Sequence, residues 1–140
     1  MEEVKIEEVK VITKYKTSDD KVFKDKREAE IHEQYLLFRE KVNGLNYVGG
    51  AYYCETQEDF DLLVDMKAYE FPFYNYNSGR TEPNYEYKKE SFSGPDWYFF
   101  RSEYNNEGPD YYWVESLSEK KAEWDEFYSQ FEIPKASLGR

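Results

Sequence analysis

The stretch GPDWYFFRSEYNNEGPDYYWV, residues 94–114, decides the fold class. It places eight aromatic side chains in twenty-one positions and carries Gly-Pro-Asp twice, at 94–96 and 108–110. In each copy Pro fixes φ and Asp bonds back to the backbone, so each is a turn element. The apolar runs that follow predict strands over 97–103 and 111–117. In the first, Trp97 and Phe99 point one way while Tyr98 and Phe100 point the other; in the second, Tyr111 and Trp113 oppose Tyr112 and Val114. Both faces of this hairpin are apolar. Helices can cover one; the other needs a second layer, a subunit or a ligand. Two copies are too few for a solenoid repeat.

Outward from the hairpin, the chain alternates between two periods. Residues 4–16 predict a strand through Ile6, Val9, Val11 and Ile12, followed by a turn at TSDDK and, at Val22-Phe23, either a short second strand or the staple before a helix. Asp25 is a good N-cap and Glu28 stands three residues on, so a helix is predicted over 26–42, ending at Asn43-Gly44. Ile31, Tyr35, Phe38 and Val42 share one face of it; Ala29, His32 and Leu36 share another. Residues 47–54 predict a strand bent at Gly49-Gly50. Thr56 caps a helix of about ten residues with Phe60, Leu63 and Val64 as its buried stripe. From Phe71 the helical period vanishes, and strands over 71–77 and 84–90 are expected around the loop NSGRTEP. Ser118 is the expected cap of a last helix with Trp124, Phe127, Tyr128 and Phe131 along one side. The expected fold is α+β: a mainly antiparallel sheet of about five to six strands with three helices packed on it. No linker divides the chain, so residues 1–140 are read as a single domain.

Fifteen Tyr and ten Phe in 140 residues mark a folded domain, not an acidic disordered chain. The formal net charge is −11, and residues 1–27, with eight basic and seven acidic side chains, leave −12 for residues 28–140. Such a field repels nucleic acid and anionic membranes and attracts a basic protein surface. The single cysteine, Cys54, allows no internal disulfide and suits a reducing cytoplasm. No apolar run of membrane-spanning length occurs, and Met1 is expected to mark a natural start.

Catalysis finds little support. His32 is the only histidine and lies inside a predicted helix, where a structural role is the simpler assignment. Without a second His or a Cys cluster, no transition-metal site of ordinary spacing is expected; a carboxylate Mg²⁺ site stays open, though an acid-rich chain produces such groupings by coincidence. Phosphate-cradling glycine patterns are missing. A protein that is not an enzyme, with no cofactor and no metal, is the expectation.

Two candidate binding surfaces remain. One is the acid series Glu55, Glu58, Asp59, Asp61 and Asp65, extended by Glu115, Glu119, Glu123, Asp125 and Glu126. Carboxylates spaced along an element can imitate the phosphates of a duplex; a solvated face is the plainer reading of the same residues. The other is the outer face of the aromatic hairpin: Trp97, Phe99, Arg101, Tyr111 and Trp113, with Arg80 also near in sequence. Tyr and Trp can stack a base or a partner side chain, and Arg can hold a phosphate. The second apolar face of helix 26–42 makes a homodimer a further expectation.

The segment YKTSDDKVFKDKREAEIHE, residues 15–33, resembles an element of small uncharacterised accessory proteins of bacteriophages. There a strand ends in a Ser-Asp-Gly-Lys turn, followed by Phe and a helix of the form D-K-x-E-A-x-x-H-E. Ser18, Asp19, Lys21, Phe23, Asp25, Lys26, Glu28, Ala29, His32 and Glu33 stand in those places, with Asp20 where the glycine is usual. The resemblance covers nineteen residues, reads as a folding unit and brings no catalytic residues with it. It implies a phage-encoded inhibitor of a host defence or nucleic-acid-handling protein, acting in the cytoplasm of an infected bacterium. The alternative is a protein that sequesters a nucleotide signal in an aromatic pocket.

Overall fold

The computed structural model describes residues 2–5 and 10–131. Among these the chain is α+β, with three α-helices and eight strands in three antiparallel sheets. The largest sheet has four strands in the order β3 (Tyr47–Val48), β4 (Ala51–Cys54), β7 (Asp96–Glu103), β8 (Tyr111–Ser116). Two further ribbons stand apart: β1 (Tyr15–Lys16) with β2 (Val22–Phe23), and β5 (Phe73–Asn75) with β6 (Arg80–Glu82). The five to six strands expected in one sheet are thus divided between a four-stranded sheet and two satellites.

The first helix, α1, spans Lys26–Val42, with the Asp25 side chain accepting from the Arg27 N–H. The second, α2, spans Gln57–Glu70 and opens with a reciprocal capping box between Thr56 and Asp59. The third, α3, spans Leu117–Ser129 and is capped by Ser116, not Ser118. Ser118 instead donates its backbone N–H to Asp96 Oδ2 at 3.3 Å, tying the helix start to the start of β7.

Helices α1 and α2 pack against each other, and α2 packs on the sheet. Their shared core holds Val42, Cys54, Phe60, Leu63, Val64 and Tyr98, each at most 2% exposed. Phe60 is its centre, with ring centroids 5.0 Å from Tyr98, 5.5 Å from Phe100 and 5.7 Å from Phe92. The Tyr98 hydroxyl donates to the Gly94 carbonyl and accepts the Ser93 N–H, so the buried ring leaves no polar atom unpaired.

Several boundaries differ from the pattern. Gly49 and Gly50 make the two-residue turn of a tight hairpin, with φ +59° and +89°. Val48 then pairs with Ala51, so the expected single strand over 47–54 is two. The expected 71–77/84–90 hairpin closes earlier. Asn75 Oδ1 accepts the Asn77 and Ser78 N–H groups, Gly79 takes φ +71°, and pairing resumes at Arg80. Tyr85 and Tyr87 then lie outside any strand, and Tyr87 places its ring 5.0 Å from Phe100. Residues 10–14 form no strand, and the expected strand positions Ile6 and Val9 lie outside the described residues.

The segment 15–33 explains its own pattern. Ser18 donates both its backbone N–H and its hydroxyl to the Glu33 carboxylate, and Asp19 Oδ2 meets His32 Nε2 at 2.7 Å. Thr17 Oγ1 donates to Asp19 at 2.5 Å, and Asp20 accepts the left-handed position at φ +67°. The Ser-Asp and His-Glu pairs therefore lock the turn onto α1. This clamp lies on the second face of α1 at His32, whose ring also meets Phe23 at 5.3 Å. The surface from which a homodimer was expected is partly covered by the chain's own hairpin.

Candidate functional site

The register of β7 and β8 sorts the aromatic hairpin into two faces. Tyr98 pairs with Ser116, Phe100 with Val114 and Ser102 with Tyr112; this set turns toward α2. Phe99 pairs with Glu115, Arg101 with Trp113 and Glu103 with Tyr111; this set turns away. All five expected aromatic-site residues, Trp97, Phe99, Arg101, Tyr111 and Trp113, therefore share the outer face. Strand β4 adds Tyr53, which pairs with Trp97 and meets its ring at 5.4 Å.

At the centre of this face stands Glu115. It accepts from the Trp113 indole N–H at 3.1 Å, from Lys120 Nζ at 3.2 Å and from Arg101 Nε at 3.4 Å. Those partners, the Trp113 bond first, hold its carboxyl below the usual range. The Arg101 guanidinium also lies 4.7 Å from the Phe99 ring centroid. Sequence spacing had set Glu115 in the acid series. The strand's period of two places it with Trp113 instead, and the fold neutralises it. Arg80 is remote from this face, paired with Glu82 on the β5–β6 ribbon.

The acid series divides between structural and free positions. Asp59 Oδ2 accepts the Glu55 and Thr56 N–H groups as the second half of the capping box. Asp65 is bound on two sides, by Lys89 Nζ at 3.0 Å and the Tyr85 hydroxyl at 2.8 Å. Asp61 accepts from Gln57 within the same helix at 2.7 Å. Glu55 holds the Tyr53 hydroxyl at 2.5 Å, and Glu58 is exposed. Glu55, Glu58 and Asp61 at the α2 N-terminus thus keep their charge unmatched by any cation among the described residues. Replacing Asp59 with Ala is expected to cost about 1–2 kcal/mol by opening the cap, measurable as a lower urea midpoint at unchanged slope. A purely surface role for Asp59 would leave that midpoint where it is.

No protein-family model, no curated protein and no solved structure matches this chain. What the site can do must be argued from its chemistry.

Among the described residues no group of three or more His, Cys, Asp and Glu side chains is arranged to hold a metal ion. Cys54 is fully buried, and burial pushes its thiol up to about 12, far from a reactive thiolate. No helix among the described residues is long and apolar enough to cross a membrane. A cleft of about 280 Å³ lies between α1 and the β5–β6 ribbon, lined in part by His32, Tyr69, Glu70 and Tyr74. It contains none of the expected site residues.

The last helix departs most from expectation. Its aromatic stripe was expected to pack on the sheet, yet no residue of α3 is buried. Trp124, Phe127, Tyr128 and Phe131 are 49–66% exposed and contact one another, with Trp124 and Tyr128 stacked at 5.5 Å. The amphipathic spacing announces an apolar face; nothing in the sequence says that the other described residues leave it uncovered.

Proposed function

We propose that this chain is a non-enzymatic, acidic binding protein that engages a partner with a basic surface. With the resemblance of residues 15–33 to bacteriophage accessory proteins, the partner class is a host defence or nucleic-acid-handling protein, and the outcome is inhibition. The observation that carries this reading is uncompensated charge. Residues 28–140 hold −12, and among the described residues of that stretch only Asp65, Glu82, Glu115 and Asp125 are ion-paired with a cation. The remaining carboxylates create a field that steers and orients a basic partner.

The nucleotide-sequestering alternative draws on Trp97, Phe99 and Arg101. It is the weaker reading because Glu115 already occupies the guanidinium that would hold a phosphate.

The test is native mass spectrometry of the protein after incubation in a bacterial lysate and repurification. A co-purifying basic protein is expected. Glu55→Lys with Glu58→Lys should weaken that complex at least about tenfold, and raised salt should do the same. A bound small mass instead of a protein would favour the alternative. A complex indifferent to both charge and salt would overturn the acidic-surface reading.

A further inference from the structure

We propose that α3 is a self-association element: two copies of the chain pair their α3 stripes antiparallel about a two-fold axis, bordered by the outer faces of their sheets.

The placement of the stripe favours this pairing. Lys120, Trp124 and Phe127 follow one another at four- and three-residue steps, so they share one side of the helix, and Phe131, just past its end, meets Phe127 at 5.0 Å. Lys120 reaches back to Glu115 on the outer sheet face, which fixes that side of α3 as the side of the outer face. The stripe and the aromatic strands thus open in one direction. They form a single apolar surface that the other described residues leave uncovered.

The exposed area is close to what a dimer needs. Four aromatic side chains at 49–66% exposure, with Tyr111 at 58%, Leu117 at 45% and Trp113 at 38%, offer on the order of 700–800 Å² of apolar surface. A stable pairwise interface needs about 800 Å² from each partner. A contact of this size is within reach of one copy meeting another, because an isologous interface uses the same patch twice.

Charge limits where two copies can meet. Two copies each at −11 repel, so they can meet only where charge is low. On the outer face the Glu115 carboxylate is already met by Arg101 and Lys120. Along α3, Lys120 is met by Glu115 and Lys121 by Asp125, and the stripe side chains Trp124, Phe127, Tyr128 and Phe131 carry no charge. An antiparallel pair lets the two copies meet along these uncharged side chains. It also opposes the two helix dipoles favourably.

The experiment is sedimentation of the full chain over a concentration series, for the native sequence and for Trp124→Glu, Phe127→Glu and Glu58→Lys separately. A dimer with a dissociation constant of about 1 μM or tighter is expected for the native chain and for Glu58→Lys. Trp124→Glu and Phe127→Glu are each expected to be monomeric at the same concentrations. Their far-ultraviolet circular dichroism should stay native, and their thermal midpoint should lose its dependence on protein concentration. A native chain that stays monomeric throughout overturns the proposal. So does a dimer that survives both stripe substitutions. Loss of native structure in both stripe variants also overturns it, because the stripe would then belong to the monomer's own core. None of these outcomes depends on the acidic surface at the α2 N-terminus, which Glu58→Lys reads separately.

Discussion

Phe60→Ala is expected to lower the free energy of unfolding by about 3–5 kcal/mol. The ring is 0% exposed and is the common contact of Phe92, Tyr98 and Phe100, which come from the approach to β7 and from β7 itself. Removing it takes away the transfer term of a whole aromatic side chain and leaves a void walled by three rings that cannot all collapse into it. A domain of this size holds roughly 5–15 kcal/mol in total, so the variant should be partly unfolded at body temperature. Urea denaturation followed by fluorescence and circular dichroism measures the loss. Phe60→Leu, which retains much of the volume, should lose substantially less. Equal midpoints for native and Phe60→Ala protein would mean that the α2–sheet core is not where stability resides.

Stability is also expected to fall steeply above about pH 10. Burial raises the pKa values of Tyr52 and Tyr87, and burial with the Asp65 bond raises that of Tyr85. Burial, followed by the Asp59 charge, raises the Cys54 thiol from 9.0 to about 12. For each group the folded pKa lies above the unfolded one, so the folded state binds more protons across that interval. Their contribution is fully present below the unfolded values and is lost as pH rises through the folded ones. Several groups titrating together make the decline cooperative. The measurement is the urea midpoint against pH, with tyrosinate absorbance followed in parallel. The slow fraction of that absorbance should appear only as circular dichroism is lost. Complete tyrosinate formation with native dichroism intact would contradict it. At the acid end the sign reverses: hydrogen bonds and nearby cations depress Asp19, Glu82 and Glu115, so stability should decline as pH falls below about 4.

The elements most legible in the sequence are those whose signals are local. Helix α1 has both ends marked, by Asp25 and by Asn43-Gly44, and it begins and ends where those caps predict. The two faces of β7 and β8 follow from a period of two, which is why the five aromatic-site residues come together. The losses are all long-range. Ser118 is the expected cap of α3, yet Ser116 takes that place and the Ser118 N–H goes to Asp96, twenty-two positions away in the chain. Asp59 and Asp65 read as free surface charge until their partners, a helix cap and Lys89, are placed beside them. Glu115 reads as one more acid until three donors converge on it. Charge counts describe a surface well only after the internal pairs have been taken out.

The join between β8 and α3 has one more consequence. The strand ends at Ser116 and the helix begins at Leu117, with no residue between them. A junction without slack converts chain length into rotation. One residue added there would turn every side chain of α3 by about 100° and carry Trp124 and Phe127 off the side of the outer face. Four added residues would return them to within about 40° of it. Drift in this protein should therefore be free at the β5–β6 ribbon and at the turn between β7 and β8. Between residues 116 and 117 it should be quantised, with whole turns of helix as the only tolerated steps.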